Sequence, residues 1–232
     1  MILFVAGHFM NGCPTTGRRK DLRTLILQYT TARTPAALYN RAMSLVAIGQ
    51  CVAAMVCLNL AAARGHLPSR ALMAHMLICY REGVAWDYRT AFELVVEGTR
   101  LGCHHCQGVM AFCYLHGFGC VIDEARSLEL ALESSGSGSG SRYGQYVLGR
   151  LYHHGAGGVA QDYAQALAFY RLAAAQNLDD AQYSLGVLYY VGLGVAQDYA
   201  EALRWYKLAA AQGDMHALYW ADFCHELCQG FP

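Results

Sequence analysis

Proline is scarce, charge is scarce, and no segment reads as a strand. Only Pro14, Pro35, Pro68 and Pro232 occur in 232 residues, and all four fall outside the helices that the hydrophobic spacing predicts. Charged residues make up 15% and cancel to zero net charge. Apart from Arg18-Arg19-Lys20 the basic residues are scattered, so nucleic-acid binding has no electrostatic footprint. A phosphate-binding loop is absent as well, because the G-x-G steps belong to turns between helices and no strand precedes them. The histidines have no Asp or Ser at the spacing of a known hydrolytic motif. These absences predict a protein that is not an enzyme, carries no cofactor and binds no nucleic acid.

Hydrophobic residues, at 55%, are abundant. Residues 1–10 are apolar but lack the basic start and the length of a secretory signal. Ala42 to Ala63 carries no charge and is long enough for a membrane span. Gly49-Gln50 interrupts it and Asn59 lies near its end, so a buried helix hairpin is predicted in place of a span. Without a signal, a cytoplasmic, reducing location is expected, where most of the ten cysteines serve as small buried hydrophobes. Cys51, Cys57 and Cys79 lie on apolar helical stretches and fit that role.

The chain repeats itself. Leu151-Tyr152, Gly155, Gly157, Val159-Ala160-Gln161-Asp162-Tyr163-Ala164 and Ala173-Ala174-Ala175-Gln176 return as Leu188-Tyr189, Gly192, Gly194, Val195-Ala196-Gln197-Asp198-Tyr199-Ala200 and Ala209-Ala210-Ala211-Gln212. Counting back from Asp198, equivalent aspartates stand at Asp162, Asp123 and Asp87, at separations of 36, 39 and 36 residues. The extra residues are Gly158 and two within the run from Ser134 to Ser141. Upstream the pattern fades to Ala61-Ala62-Ala63-Arg64-Gly65-His66 and Ala37-Leu38-Tyr39. A period of this size marks a stacked repeat array, which builds an extended surface.

Each copy reads as two helices. Tyr199, Ala202, Leu203, Tyr206, Ala209 and Ala210 form an apolar stripe at helical spacing. Asp198 with Glu201, and Asp162 with Gln165, have the spacing of a capping box. Gly192 and Gly194 close the preceding helix, Ala181 to Val191, as glycine does where φ must be positive. The last helix, Met215 to Cys228, is expected to cap the stack with Ala217, Leu218, Ala221, Cys224, Leu227 and Cys228 facing inward. The Ser134 to Ser141 run predicts a helix end by Ser134 and a bendable connection.

Ala181, Leu185-Gly186, Tyr189, Gly192-Leu193-Gly194-Val195, Asp198, Ala202, Trp205-Tyr206, Ala209-Ala210 and Gly213 resemble the Sel-one-like repeat (SLR), a branch of the tetratricopeptide superfamily. The resemblance is specific over residues 143–214. It implies an all-α fold, an α/α superhelical solenoid of about six helix-hairpin repeats with a C-terminal capping helix. It also implies a non-catalytic adaptor or scaffold that binds partner proteins along a concave face. The predicted units are 36–67, 68–102, 103–142, 143–180 and 181–214, the cap is 215–228, and residues 1–35 form a degenerate unit or cap.

In such arrays the first helix of each unit lines the concave face. The positions there that vary between units are Gln107, Phe112, Leu115 and His116, then Tyr146, Arg150, His153 and His154, then Tyr183, Val187 and Tyr190. Aromatics and arginine are enriched at interface hot spots, although Phe112, Tyr183 and Tyr190 also suit packing between repeats. His116 and His154, one unit apart, suggest binding that responds to pH near neutrality. The alternative function is a metal-binding or enzyme-like module built on the Cys/His cluster of residues 103–116. Cys103, His104, His105 and Cys106 have zinc-type donors at C-x-x-C spacing, with Cys113 and His116 following, but no second pair completes four ligands. The competing reading places Cys103 to Cys106 at the start of a helix, with His104 and His105 exposed.

Overall fold

The computed structural model describes residues 34–79, 83–136 and 140–229. The expectations for residues 1–33, including the apolar start and Arg18-Arg19-Lys20, lie outside the described residues. Eleven helices are found among the described residues: α1 (Pro35–Ala47), α2 (Cys51–Ala63), α3 (Leu67–Ile78), α4 (Tyr88–Arg100), α5 (His104–His116), α6 (Glu124–Ser135), α7 (Arg142–His154), α8 (Tyr163–Ala175), α9 (Asp179–Val191), α10 (Tyr199–Ala210) and α11 (Met215–Gln229). An isolated bridge residue at Val84 is the sole extended pairing among them. Two compact units divide after Cys106, inside α5.

In the first unit, α2 packs between α1 and α3, and α3 against α4. Leu38, Ala42 and Leu45 make one buried stripe on α1, while Ala54, Cys57, Leu58 and Ala61 are buried on α2. The uncharged stretch from Ala42 to Ala63 breaks at Ile48 to Gln50, where Gly49 takes φ +75°. It is a helix hairpin, and among the described residues no helix is long and apolar enough to cross a membrane. Pro35 and Pro68 lie inside the first turns of α1 and α3, not outside the helices. Their missing N–H groups cost nothing there, because first-turn N–H groups have no intrahelical partner.

In the second unit, consecutive helices from α6 to α11 pack in chain order. Asp123, Asp162 and Asp198 are N-caps of α6, α8 and α10, with carboxylates accepting from Arg126 N, Gln165 N and Glu201 N at 2.9–3.0 Å. Their own N–H groups do not meet a side chain three residues on, as a capping box requires. They donate to the carbonyls of Tyr114, Tyr152 and Tyr189 in the preceding helix, at 2.8–3.0 Å. Glu201 pairs instead with Arg204 at 3.3 Å. Asp87 does the same in the first unit, toward Leu77 O and Thr90 N.

Two more devices recur in the second unit. Gly149 and Gly186 sit against the rings of Tyr170 and Tyr206, where a Cβ would come within 2.5 Å of ring carbons. Both tyrosines are 1% exposed. Then Gln176 Nε2 donates to Gln145 Oε1, and Gln212 Nε2 to Gln182 Oε1, each at 2.8 Å. Gln145 and Gln182 are buried, so this amide clasp satisfies polar groups that would otherwise weaken the interface.

The serine–glycine run departs from a simple bendable linker. α6 continues to Ser135, and Ser134 and Ser141 are both fully buried. Ser141 N donates to Ser134 O at 2.9 Å, which closes the run at its base. Residues 137–139 lie outside the described residues. On α11 the buried positions are Ala217, Ala221 and Cys224, whereas Leu218 and Cys228 are exposed. The helix is rotated from the predicted face because Trp220 packs on Tyr206, with ring centroids 6.4 Å apart.

Gly186→Ala should lower stability, because an overpacked methyl against a ring that cannot retreat costs about 1–3 kcal/mol. That exceeds the gain of about 1 kcal/mol from replacing a helical glycine. The midpoint of urea unfolding is expected to fall, and a midpoint at or above wild type would refute the close contact.

Candidate functional site

Residues one turn apart share a helix face, and the first helices of the second unit present such rows. α5 contributes Phe112 and His116, α7 contributes Tyr146, Arg150 and His154, and α9 contributes Asp180, Ser184 and Val187. The rows meet. The rings of Phe112 and Tyr146 lie 5.8 Å apart, Tyr146 and Tyr170 5.9 Å, and Phe112 and His116 4.7 Å.

Phe112 and Tyr146 are buried, so they form the floor of this face and do not project from it. Tyr183, Val187 and Tyr190 are half-buried against the cluster of Ala202, Tyr206, Ala209, Ala217, Ala221 and Cys224. Tyr190 reaches Trp220 at 5.2 Å. Gln107 donates to Glu133 at 3.4 Å, and its counterparts Gln145 and Gln182 form the amide clasps, so this position has a structural use in successive repeats. Leu115 and His153 are half-buried, the latter edge-on to Tyr163 at 5.4 Å, and His154 is exposed.

Arg150 is the centre of the face. One guanidinium nitrogen donates to Tyr146 Oη at 3.4 Å, while its Nε is buried without a hydrogen-bond partner. Asp180 and Tyr170 act on it electrostatically, and Ser184 Oγ donates to Asp180 O at 2.8 Å. Burial pushes the Tyr146 and Tyr170 hydroxyls above their ordinary range, so both remain neutral. Asp180, Ser184 and Tyr170 were not singled out from the sequence. The available signal was the row Asp180, Ser184, Val187 on α9 and the pairing of Gly149 with a large residue on the next helix.

His116 departs from a near-neutral switch. Burial, reinforced by Arg150 and His154 and opposed by Asp180, lowers it to about 4. His153 and His154 are also lowered, first by burial. His116 is therefore neutral across the range where unperturbed histidine titrates.

The Cys/His cluster is elsewhere. Cys103 and Cys106 are buried, and His104 and His105 are half-buried, not exposed. No three of these residues bring ligand atoms within 4.8 Å of one another, short of the four ligands of a structural zinc site. Cys57, Cys103, Cys106, Cys113, Cys120, Cys224 and Cys228 are free thiols.

Helix hairpins joined through capping aspartates and closed by left-handed glycines, as at Gly155 and Gly192, define an α/α repeat protein. The chain belongs to the Sel1 repeat family, which it matches over residues 68–95, 99–139, 142–178 and 179–214. A Sel1 repeat protein from Oxalobacter formigenes is 20% identical, with 91% of this chain and 87% of that one covered at a TM-score of 0.55. A sel1 repeat protein from Klebsiella pneumoniae is also 20% identical, with 86% and 96% covered at 0.57. These likenesses show a shared fold. A protective antigen of uropathogenic Escherichia coli displaying an SLR fold is 26% identical at a TM-score of 0.46, and this chain spans only 44% of its length. No curated protein matches the chain.

The lowered histidines set an acid limb of stability. An unfolded histidine binds its proton at about pH 6.5, but folded His116 resists until about 4. Above 6.5 neither state is protonated and stability is full. It is lost as pH falls from 6.5 toward 4, because the unfolded state takes up the proton first. Urea midpoints at pH 7.5, 5.5 and 4.5 should therefore decline, and His116→Gln should flatten part of that decline. An equal slope in the variant would show that His116 is not the source.

Proposed function

We propose that the chain is a non-catalytic scaffold that binds a partner protein on the face formed by α5, α7 and α9, with Arg150 as the anchor. The observation that carries this reading is the Arg150 Nε–H, a buried donor with no acceptor on a side chain fixed by Tyr146. A partner carboxylate that pairs with the half-buried guanidinium would offset its desolvation, and a charge-assisted hydrogen bond of this kind is among the stronger ones. Arginine set among aromatics also has the make-up of an interface hot spot. His116, His154, Tyr183, Val187 and Tyr190 border the anchor or continue the face along the next repeat. The free thiols support a reducing, cytoplasmic setting.

Affinity purification from an extract of the source cells tests this with three baits. Wild type and Arg171→Ala, which alters an exposed arginine bonded to Tyr189, should capture the same protein, and Arg150→Ala should lose it. With that protein purified, Arg150→Ala should weaken its Kd by at least about 30-fold, the mark of a hot spot of roughly 2 kcal/mol. Capture retained by Arg150→Ala but lost by Arg171→Ala would place binding on another face.

A further inference from the structure

We propose that α11 is a docking face for a basic amphipathic helix of a partner protein, seated as α8 and α10 are seated on the helices before them. The repeat fixes the register. Ala181, Leu185 and Leu188, the buried stripe of α9, return 36 residues later as Ala217, Ala221 and Cys224, the buried stripe of α11. By the same step Gln182, Tyr183, Gly186 and Tyr190 return as Leu218, Tyr219, Asp222 and Glu226.

On α9 those four residues all meet α10 or the turn after it. Gln182 accepts from Gln212 at 2.8 Å, Tyr183 and Gly186 lie against the Tyr206 ring, and the rings of Tyr190 and Tyr199 are 5.6 Å apart. On α7 the same places hold Gln145, Tyr146, Gly149 and His153, which meet Gln176, Tyr170 and Tyr163. A second helix therefore covers this face in both hairpins.

On α11 the corresponding face is open among the described residues. Leu218 and Tyr219 are 46% and 67% exposed, and Met215, one turn before Tyr219, is exposed as well. Asp222 and Glu226 are exposed further along the helix. The five residues recur at three- and four-residue spacing, so they share one face. Adjoining large apolar side chains left in water mark a contact surface.

The chemistry of the face selects its occupant. At Gly186 a Cβ would come within 2.5 Å of the Tyr206 ring, so a tyrosine cannot sit over Asp222 at that approach. A lysine or arginine can, because its long stem carries the charge to a carboxylate from a helix set further out. Glu226 offers a second carboxylate one turn on. No Lys or Arg follows Lys207, whereas Asp214, Asp222 and Glu226 do, so the field here is negative and favours a cationic partner. The occupant is a helix with apolar side chains toward Met215, Leu218 and Tyr219 and basic ones toward Asp222 and Glu226. This site is separate from the Arg150 anchor and does not depend on it.

The probe is a dye-labelled peptide of about 18 residues, long enough to be helical, with leucines on one face and lysines beside them. Fluorescence anisotropy compares it with a counterpart carrying glutamate for lysine. The lysine peptide should bind at least about tenfold more tightly. Asp222→Lys with Glu226→Lys should abolish that preference, and Tyr219→Ala should weaken the lysine peptide roughly fivefold or more. Glu93→Lys with Glu129→Lys, the same change of charge at exposed carboxylates on α4 and α6, should leave binding intact. Arg150→Ala should leave it intact too, so the two sites can fail separately. Should an α11 variant misfold by circular dichroism, hydrogen exchange of the wild type decides, with slowing over residues 215–226 expected when the lysine peptide binds. Equal affinity for the two peptides, equal weakening by the control pair, or protection confined to other helices would overturn the proposal. A dimer in sedimentation that Tyr219→Asp dissociates would also overturn it, because a second copy would then cover the face.

Discussion

One residue per hairpin does the joining on which the rest of the structure depends. Asp87, Asp123, Asp162 and Asp198 each donate a backbone N–H to the end of one helix and accept with the carboxylate from the start of the next. Helix ends leave carbonyls and N–H groups without partners, and a single aspartate satisfies one of each. Because the two bonds come from the same residue, the second helix of a hairpin cannot turn without straining its attachment to the first. The geometry of each joint is therefore set locally. Glycine-to-tyrosine contacts then define how closely the paired helices approach, and the amide clasps tie the start of the first helix to the end of the second within each of these hairpins.

This division explains what could be read in the sequence. Repeated aspartates, glycine turns and Ala-Ala-Ala segments announce themselves because they obey local rules of capping and backbone conformation. The capping box was half legible. Asp198 caps as its type demands, but the reciprocal arm from Glu201 loses to a tertiary acceptor, Tyr189 O, that no local pattern reveals. Pro35 and Pro68 illustrate the converse, since proline excludes helix interiors but suits first turns, and the boundary itself decides which applies. The face of α11 was misjudged for a similar reason. Its composition is apolar on several sides, and Trp220 stacking on Tyr206 chooses among them.

Burial was the least legible property. Ser134 to Ser141 has the composition of a loose linker, yet both its ends are buried and their backbones are hydrogen-bonded to each other, and Gly144 and Gly108 leave space where a Cβ would overlap or crowd the hydroxyls of Ser134 and Ser141. Phe112 and Tyr146 are of the residue types that serve at interfaces, but aromatic rings are equally suited to fill the gaps between stacked helices. Only the three-dimensional neighbours distinguish the uses. Arg150 was named from the sequence, and the groups Asp180 and Tyr170 that act on it electrostatically come from two further helices.

The residues that most invite a functional reading lie at positions where the repeats disagree. Arg150 stands where the preceding repeat has Phe112 and the following one Val187. Both neighbours are ordinary packing residues, so the fold accommodates an apolar side chain there without difficulty. A guanidinium in that place carries a desolvation cost and leaves Nε without a partner, which packing alone does not require. A repeat protein can keep its joints, contacts and clasps constant and vary the chemistry on a position that the scaffold does not need. In this chain Arg150 is of that kind, and the aspartates, glycines and glutamines that define the repeat are not.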